Sequence, residues 1–95
     1  MFLHLGGDIV VGIEDIIAIL DIESTSYSKH SKSFLNKCED DGIIFKITDD
    51  EPRSFVITEN LKNKIKKGKT SRQIVVYYSP ISAPTLQKRA NLTNI

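Results

Sequence analysis

At 95 residues with 40% hydrophobic side chains, the chain has the length and composition of one folded domain, small enough that self-association helps to cover its surface. No stretch approaches the roughly 18 consecutive apolar residues of a membrane-spanning helix, and the single cysteine, Cys38, excludes an internal disulfide. The net charge of +1 conceals a partition: all twelve acidic residues lie at or before Glu59, where five basic residues leave a balance of −7, and the eight basic residues from Asn60 onward stand without any acid.

FLHLGGDIVV reads as two strands joined at Gly6 and Gly7, because two glycines accept the positive φ angles of a short hairpin. The N-terminal MFLHLGGDIVV lacks a basic leader region and a small-residue cleavage site, so the expected location is cytoplasmic. After Gly12, the apolar run Ile16 to Ile22 predicts a central strand covered on both faces, with a short buried helix as the alternative. Tyr27, Phe34, Leu35 and Cys38 then fall on one face of a helix. Ser26 or Ser28 is placed to cap its start and Gly42 to end it, while Glu39, Asp40 and Asp41 oppose the helix dipole in its last turn.

IIFKIT, the acidic turn DDEP and RSFVIT predict a second hairpin, with Pro52 confined to the turn because it has no N–H for a ladder. A connector holding Lys62, Lys64, Lys66, Lys67, Lys69 and Arg72 follows, then the strand Ile74 to Ser79, in which one of Tyr77 and Tyr78 packs inside. Pro84 opens a short C-terminal helix, where its missing N–H is harmless, and residues 91–95 read as a flexible tail. The sum is an α+β fold, a small and mostly antiparallel β domain of about six strands with one middle α-helix and a short C-terminal helix. It occupies residues 1–90 as a single domain, with a basic insertion at residues 60–72.

Little in this chain suggests catalysis. His4 alternates with Leu3 and Leu5 and so faces away from them, and His30 lies on the polar side of the helix. Neither has a nucleophile or paired acid in view. Cys38 reads as a small hydrophobe rather than a reactive thiol. Asp49, Asp50 and Glu51 lack the spaced oxygens of a calcium loop, and Gly6 and Gly7 precede a strand rather than the helix that a phosphate loop requires. The expectation is no enzyme, no cofactor, no metal, no membrane contact and no small-molecule substrate.

The connector is the one concentrated feature. As a loop it is a flexible finger or simply a solvated link; as a ribbon it places Lys62, Lys64 and Lys66 on one face and Leu61 and Ile65 on the other, a shape that fits the DNA major groove. The composition alone leaves these readings open.

HLGGDIVV with DIIAILDIE, then PRSFVIT, then YYSPISAPTLQKRA resemble, in that order, the RemA/RemB family of extracellular matrix regulators of Gram-positive bacteria, and the last stretch is similar to the RemB branch. The resemblance runs from Met1 to about Ala90. It implies a homo-oligomeric ring that binds double-stranded DNA and regulates transcription of biofilm-matrix genes. DNA-binding members carry arginines at positions that here hold Glu14, Asp50 and Glu51, and only Arg53 keeps a basic residue. The expected phosphate-contacting set is therefore Arg53 with Lys62, Lys64, Lys66, Lys67, Lys69 and Arg72. The alternative is a ring-forming structural or protein-interaction module without DNA binding, in which Glu14, Asp50 and Glu51 face the connector of a neighbouring copy.

Overall fold

The computed structural model describes residues 1–23, 29–66 and 69–91, and for residues 31, 60–66, 69–72 and 91 it describes the backbone alone. Strands β1 (Phe2–Gly6) and β2 (Ile9–Gly12) form the expected antiparallel hairpin. Its alternation sorts the side chains: Leu3, Leu5 and Val11 are buried, whereas His4 is exposed and its Nε2–H donates to the Gly7 carbonyl at 2.7 Å. Gly6 takes φ +111°, and a Cβ there would stand 2.9 Å from the Pro80 ring. The turn thus needs glycine twice over, for its dihedral and for its close approach to the end of the sheet.

A 3-10 turn (Ile13–Asp15) leads into β3 (Ile16–Asp21), the first member of a four-stranded sheet ordered β3-β5-β6-β4. β3 pairs with β5 (Ser54–Lys66), which pairs in turn with β6 (Lys69–Ser79), both antiparallel. β3 is therefore an edge strand, not the central strand its composition suggested. Its apolar run is covered only in part: Ile16 and Ile19 pack with one core cluster, Ala18 and Leu20 with the other, and Ile17 stays exposed.

The second hairpin expected across DDEP does not form. β4 (Ile44–Lys46) instead pairs parallel with β6, Ile44 opposite Val76 and Lys46 opposite Tyr78. The sides of β5 are already taken by β3 and β6, so the chain after β4 passes across the end of the sheet to enter β5. Hydrogen bonds from Ile47 N–H to the Tyr78 carbonyl and from Arg53 N–H to the Ser79 carbonyl fix that crossing.

Helix α1 (Lys29–Asp40) covers one face of the sheet with Leu35 and Cys38 on Phe55, Ile57 and Val76. Phe34 stays partly exposed; Tyr27 and both expected capping serines lie outside the described residues. The helix ends as expected: Gly42 has φ +71°, its N–H reaches the Glu39 carbonyl, and the N–H of Ile43 reaches that of Cys38. This paired reach back satisfies carbonyls that the last turn would otherwise orphan.

The hairpin and helix α2 (Ala83–Asn91) cover the opposite face, where Leu3, Leu5, Val11, Val56 and Leu86 form the other cluster. Two buried serines tie the layers together. Ser79 Oγ donates to the Leu5 carbonyl at 2.6 Å and accepts from Ile81 N–H, and Ser54 Oγ donates to the Ile81 carbonyl at 2.7 Å. Both tyrosines are half-buried on opposite faces, Tyr77 beside Phe45 and Tyr78 beside Phe55, so neither is the single inward one that was expected.

Candidate nucleic-acid interface

Strands β5 and β6 outrun their neighbours. The pairing of β3 with β5 ends at Ile16 opposite Thr58, and that of β4 with β6 begins at Ile44 opposite Val76. Beyond this level β5 and β6 pair with each other alone, from Glu59 opposite Ile74 to Lys66 opposite Lys69, with one irregularity after Lys62. The basic connector is thus a two-stranded ribbon. From Glu59 to Lys66 it extends on the order of 25 Å at about 3.3 Å per residue.

Five of the seven candidate residues belong to this ribbon: Lys62, Lys64 and Lys66 on β5, Lys69 and Arg72 on β6. The register sets Arg72 opposite Leu61 and Lys66 opposite Lys69. Lys67 lies outside the described residues, as do the faces taken by the Lys62, Lys64, Lys66, Leu61 and Ile65 side chains. Arg53 is not part of this group. It precedes β5 at the other end of the sheet, exposed, on the order of 40 Å along the strand from Lys66.

The acids divide in the same way. Glu14 lies in the turn just before Ile16, at the root of the ribbon, whereas Asp50 and Glu51 lie beyond the opposite end of the sheet. That far end also holds Asp49, Asp21 (opposite Ser54) and Asp8 in the hairpin turn, with Lys46 and Arg53 among them. A cleft of about 320 Å³ there is lined by Lys46, Asp49, Asp50, Glu51 and Tyr78. The ribbon's basic residues thus stand at one pole of the sheet and Asp8, Asp21, Asp49, Asp50 and Glu51 at the other, while Glu14, Asp15 and Glu59 lie at the ribbon's root. Among the described residues no group of three or more acidic, histidine or cysteine side chains is placed to hold a metal ion. No helix among them is long and apolar enough to cross a membrane.

Cys38 is buried under α1, and its thiol is pushed above its ordinary value of 9.0, first by burial and then by Asp41, with Lys37 acting the other way. The Tyr78 hydroxyl is raised above 10.0 by burial first, then by Glu39 and Cys38. For an acid whose folded pKa is raised, the unfolded chain loses its proton first, so stability is constant below the unfolded pKa and falls as pH climbs through it. The expected result is an alkaline decline that starts near pH 9 and is shallower in Cys38→Ala, which keeps only the Tyr78 contribution. Urea midpoints of both proteins between about pH 7 and 10.5 check it, and parallel curves would count against the thiol as a source.

Comparison with known proteins adds two matches. The model of the RemA-like family, described as extracellular matrix regulatory protein A-like, matches residues 2–90. The chain is also 33% identical over 90 residues to extracellular matrix regulatory protein B of Bacillus subtilis (strain 168), an alignment covering 95% of this chain and 90% of that protein.

Proposed function

The chain belongs to the RemA-like family of extracellular matrix regulatory proteins, and from that premise we propose that it is a cytoplasmic, homo-oligomeric DNA-binding regulator of transcription. It assembles as a ring, grips the phosphates of double-stranded DNA with its β5–β6 ribbon, and controls genes for matrix formation. The observation that carries this reading is the ribbon itself: Lys62, Lys64, Lys66, Lys69 and Arg72 stand on paired strands that leave the domain without a flanking strand. A two-stranded ribbon has the width of the major groove, and lysine supplies phosphate affinity without base contacts. Repetition around an oligomer multiplies a modest contact by avidity.

The test is a ribbon truncation in which Asn-Gly replaces residues 60–73 and joins Glu59 directly to Ile74. Gel shifts with random and matrix-operon duplexes over a salt series are expected to show binding by the full chain and none by the truncated one. Equal binding by both would remove the ribbon from the interface.

A second reading, an assembly without DNA binding, is favoured by the acidic pole. Asp49, Asp50 and Glu51 complement the ribbon of another copy, whereas Glu14, at the ribbon's own root, is not part of that pole. Such pole-to-pole contacts loosen with salt, so sedimentation in low and high salt separates this reading from the first.

A further inference from the structure

We infer that copies of this chain join flank to flank, the protruding apolar side chains near β4 of one copy seating in the isoleucine groove beside β3 of the next. The inference rests on the assembly proposed above and names its surfaces.

The two edges of the four-stranded sheet carry different apolar surfaces. Along β3 runs a groove of about 310 Å³, lined by Ile13, Ile16, Ile17, Ile19 and, from α2, Ala90, and no charged side chain borders it. A bulge between Ile16 and Ala18 sets Ile17 apart from the ladder, leaving it 55% exposed. An extra residue in a strand re-aims a side chain, and here it turns a large aliphatic one into water. Elsewhere, Phe2 and Val10 of the hairpin are 73% and 55% exposed, and Phe45 on the other edge strand, β4, is 47% exposed. These three surround Tyr77: Phe2 and Val10 border a cleft with it that the polar Thr58 and Asp15 also line, and the Phe45 ring centroid lies 5.8 Å from that of Tyr77.

One surface is concave and lies along the β3 edge, the other protrudes around Tyr77 from the hairpin and the β4 edge, and neither covers the other within the chain. Between copies they can do so, in a heterologous contact that leaves one unused surface at each end of the assembly until it closes. The lack of charge in the groove argues against a basic or acidic peptide as occupant. Gln87 Nε2 donates to the Ile19 carbonyl at 3.3 Å, which engages the β3 edge at that point and favours seating of side chains over addition of a strand. The contact runs across the sheet whereas the β5–β6 ribbon projects along it, so every ribbon leaves the assembly unobstructed.

Mixing of two defective variants tests this directly, by light scattering coupled to gel filtration. Ile17→Asp disables the groove and Val10→Asp the opposite flank; each alone is expected to have the mass of one chain. An equimolar mixture has one intact groove and one intact flank, and is expected to yield a two-chain species and nothing larger. Should Val10→Asp lose its cooperative melting transition, Phe2→Ser at the strand end replaces it. Retention of the unmodified protein's mass by both variants overturns the inference while the assembly stands, as does a mixture that remains single chains. A single-chain mass for the unmodified protein overturns the assembly itself.

Discussion

Replacing Lys62, Lys64, Lys66, Lys69 and Arg72 together by glutamine is expected to lower duplex DNA affinity by about three orders of magnitude near 0.15 M salt. The estimate follows from counterion release: each neutralised phosphate contributes roughly 0.9 to the slope of log K against log salt, so loss of five contacts flattens that slope by about 4.5. Glutamine keeps the length and polarity of the side chains, and the ribbon's backbone ladder does not depend on their charge. Arg53→Gln provides the contrast. It lies at the pole that holds Asp49, Asp50 and Glu51, and its loss is expected to change the slope by less than about 1. Fluorescence anisotropy over a salt series measures both, and an unchanged slope in the five-residue variant would show that the phosphates are met elsewhere.

The separation of Arg53 from the lysines illustrates what a linear pattern reports. Alternation of apolar and polar residues says which face a side chain takes, and on that ground His4, Leu3, Leu5 and the helix face at Leu35 and Cys38 were readable. It does not say which strand lies alongside. Thus Ile44 to Lys46 was read as the partner of β5 when it pairs with β6, and β3 was placed at the centre because apolar cover on both faces looks the same at an edge. The ribbon was one of several readings that the sequence left open, because lysines at alternate positions suit a solvated loop as well as a strand. Charge order along the chain was plain, but the distance between Arg53 and Lys66 required knowing that β5 is one uninterrupted strand of thirteen residues. The apolar flanks had no local signal at all: Ile17 looks like its neighbours, and only the bulge turns it outward.

Deleting the same kind of side chain at two places separates folding from assembly. Leu86 is fully buried, on the face of α2 that closes over Leu3, Leu5, Val11 and Val56, and Leu86→Ala leaves a cavity that the two serine ties at Ser54 and Ser79 hinder from collapsing. A loss of about 3 to 4 kcal/mol is expected, a large share of the roughly 5–15 kcal/mol available to a domain. At about 4–8 °C per kcal/mol for this size, melting falls by roughly 12–32 °C at every protein concentration. Ile17→Ala removes a comparable aliphatic group from a position already 55% in water, so the isolated chain loses less than about 0.5 kcal/mol. If Ile17 lies between copies, its truncation acts through mass action instead: the unmodified protein melts higher as concentration rises, and the variant loses that increment. Calorimetry over a hundredfold dilution distinguishes the two effects. A Leu86→Ala melting point within a few degrees of the unmodified one would contradict the core assignment, and an unaltered concentration dependence in Ile17→Ala would contradict the groove.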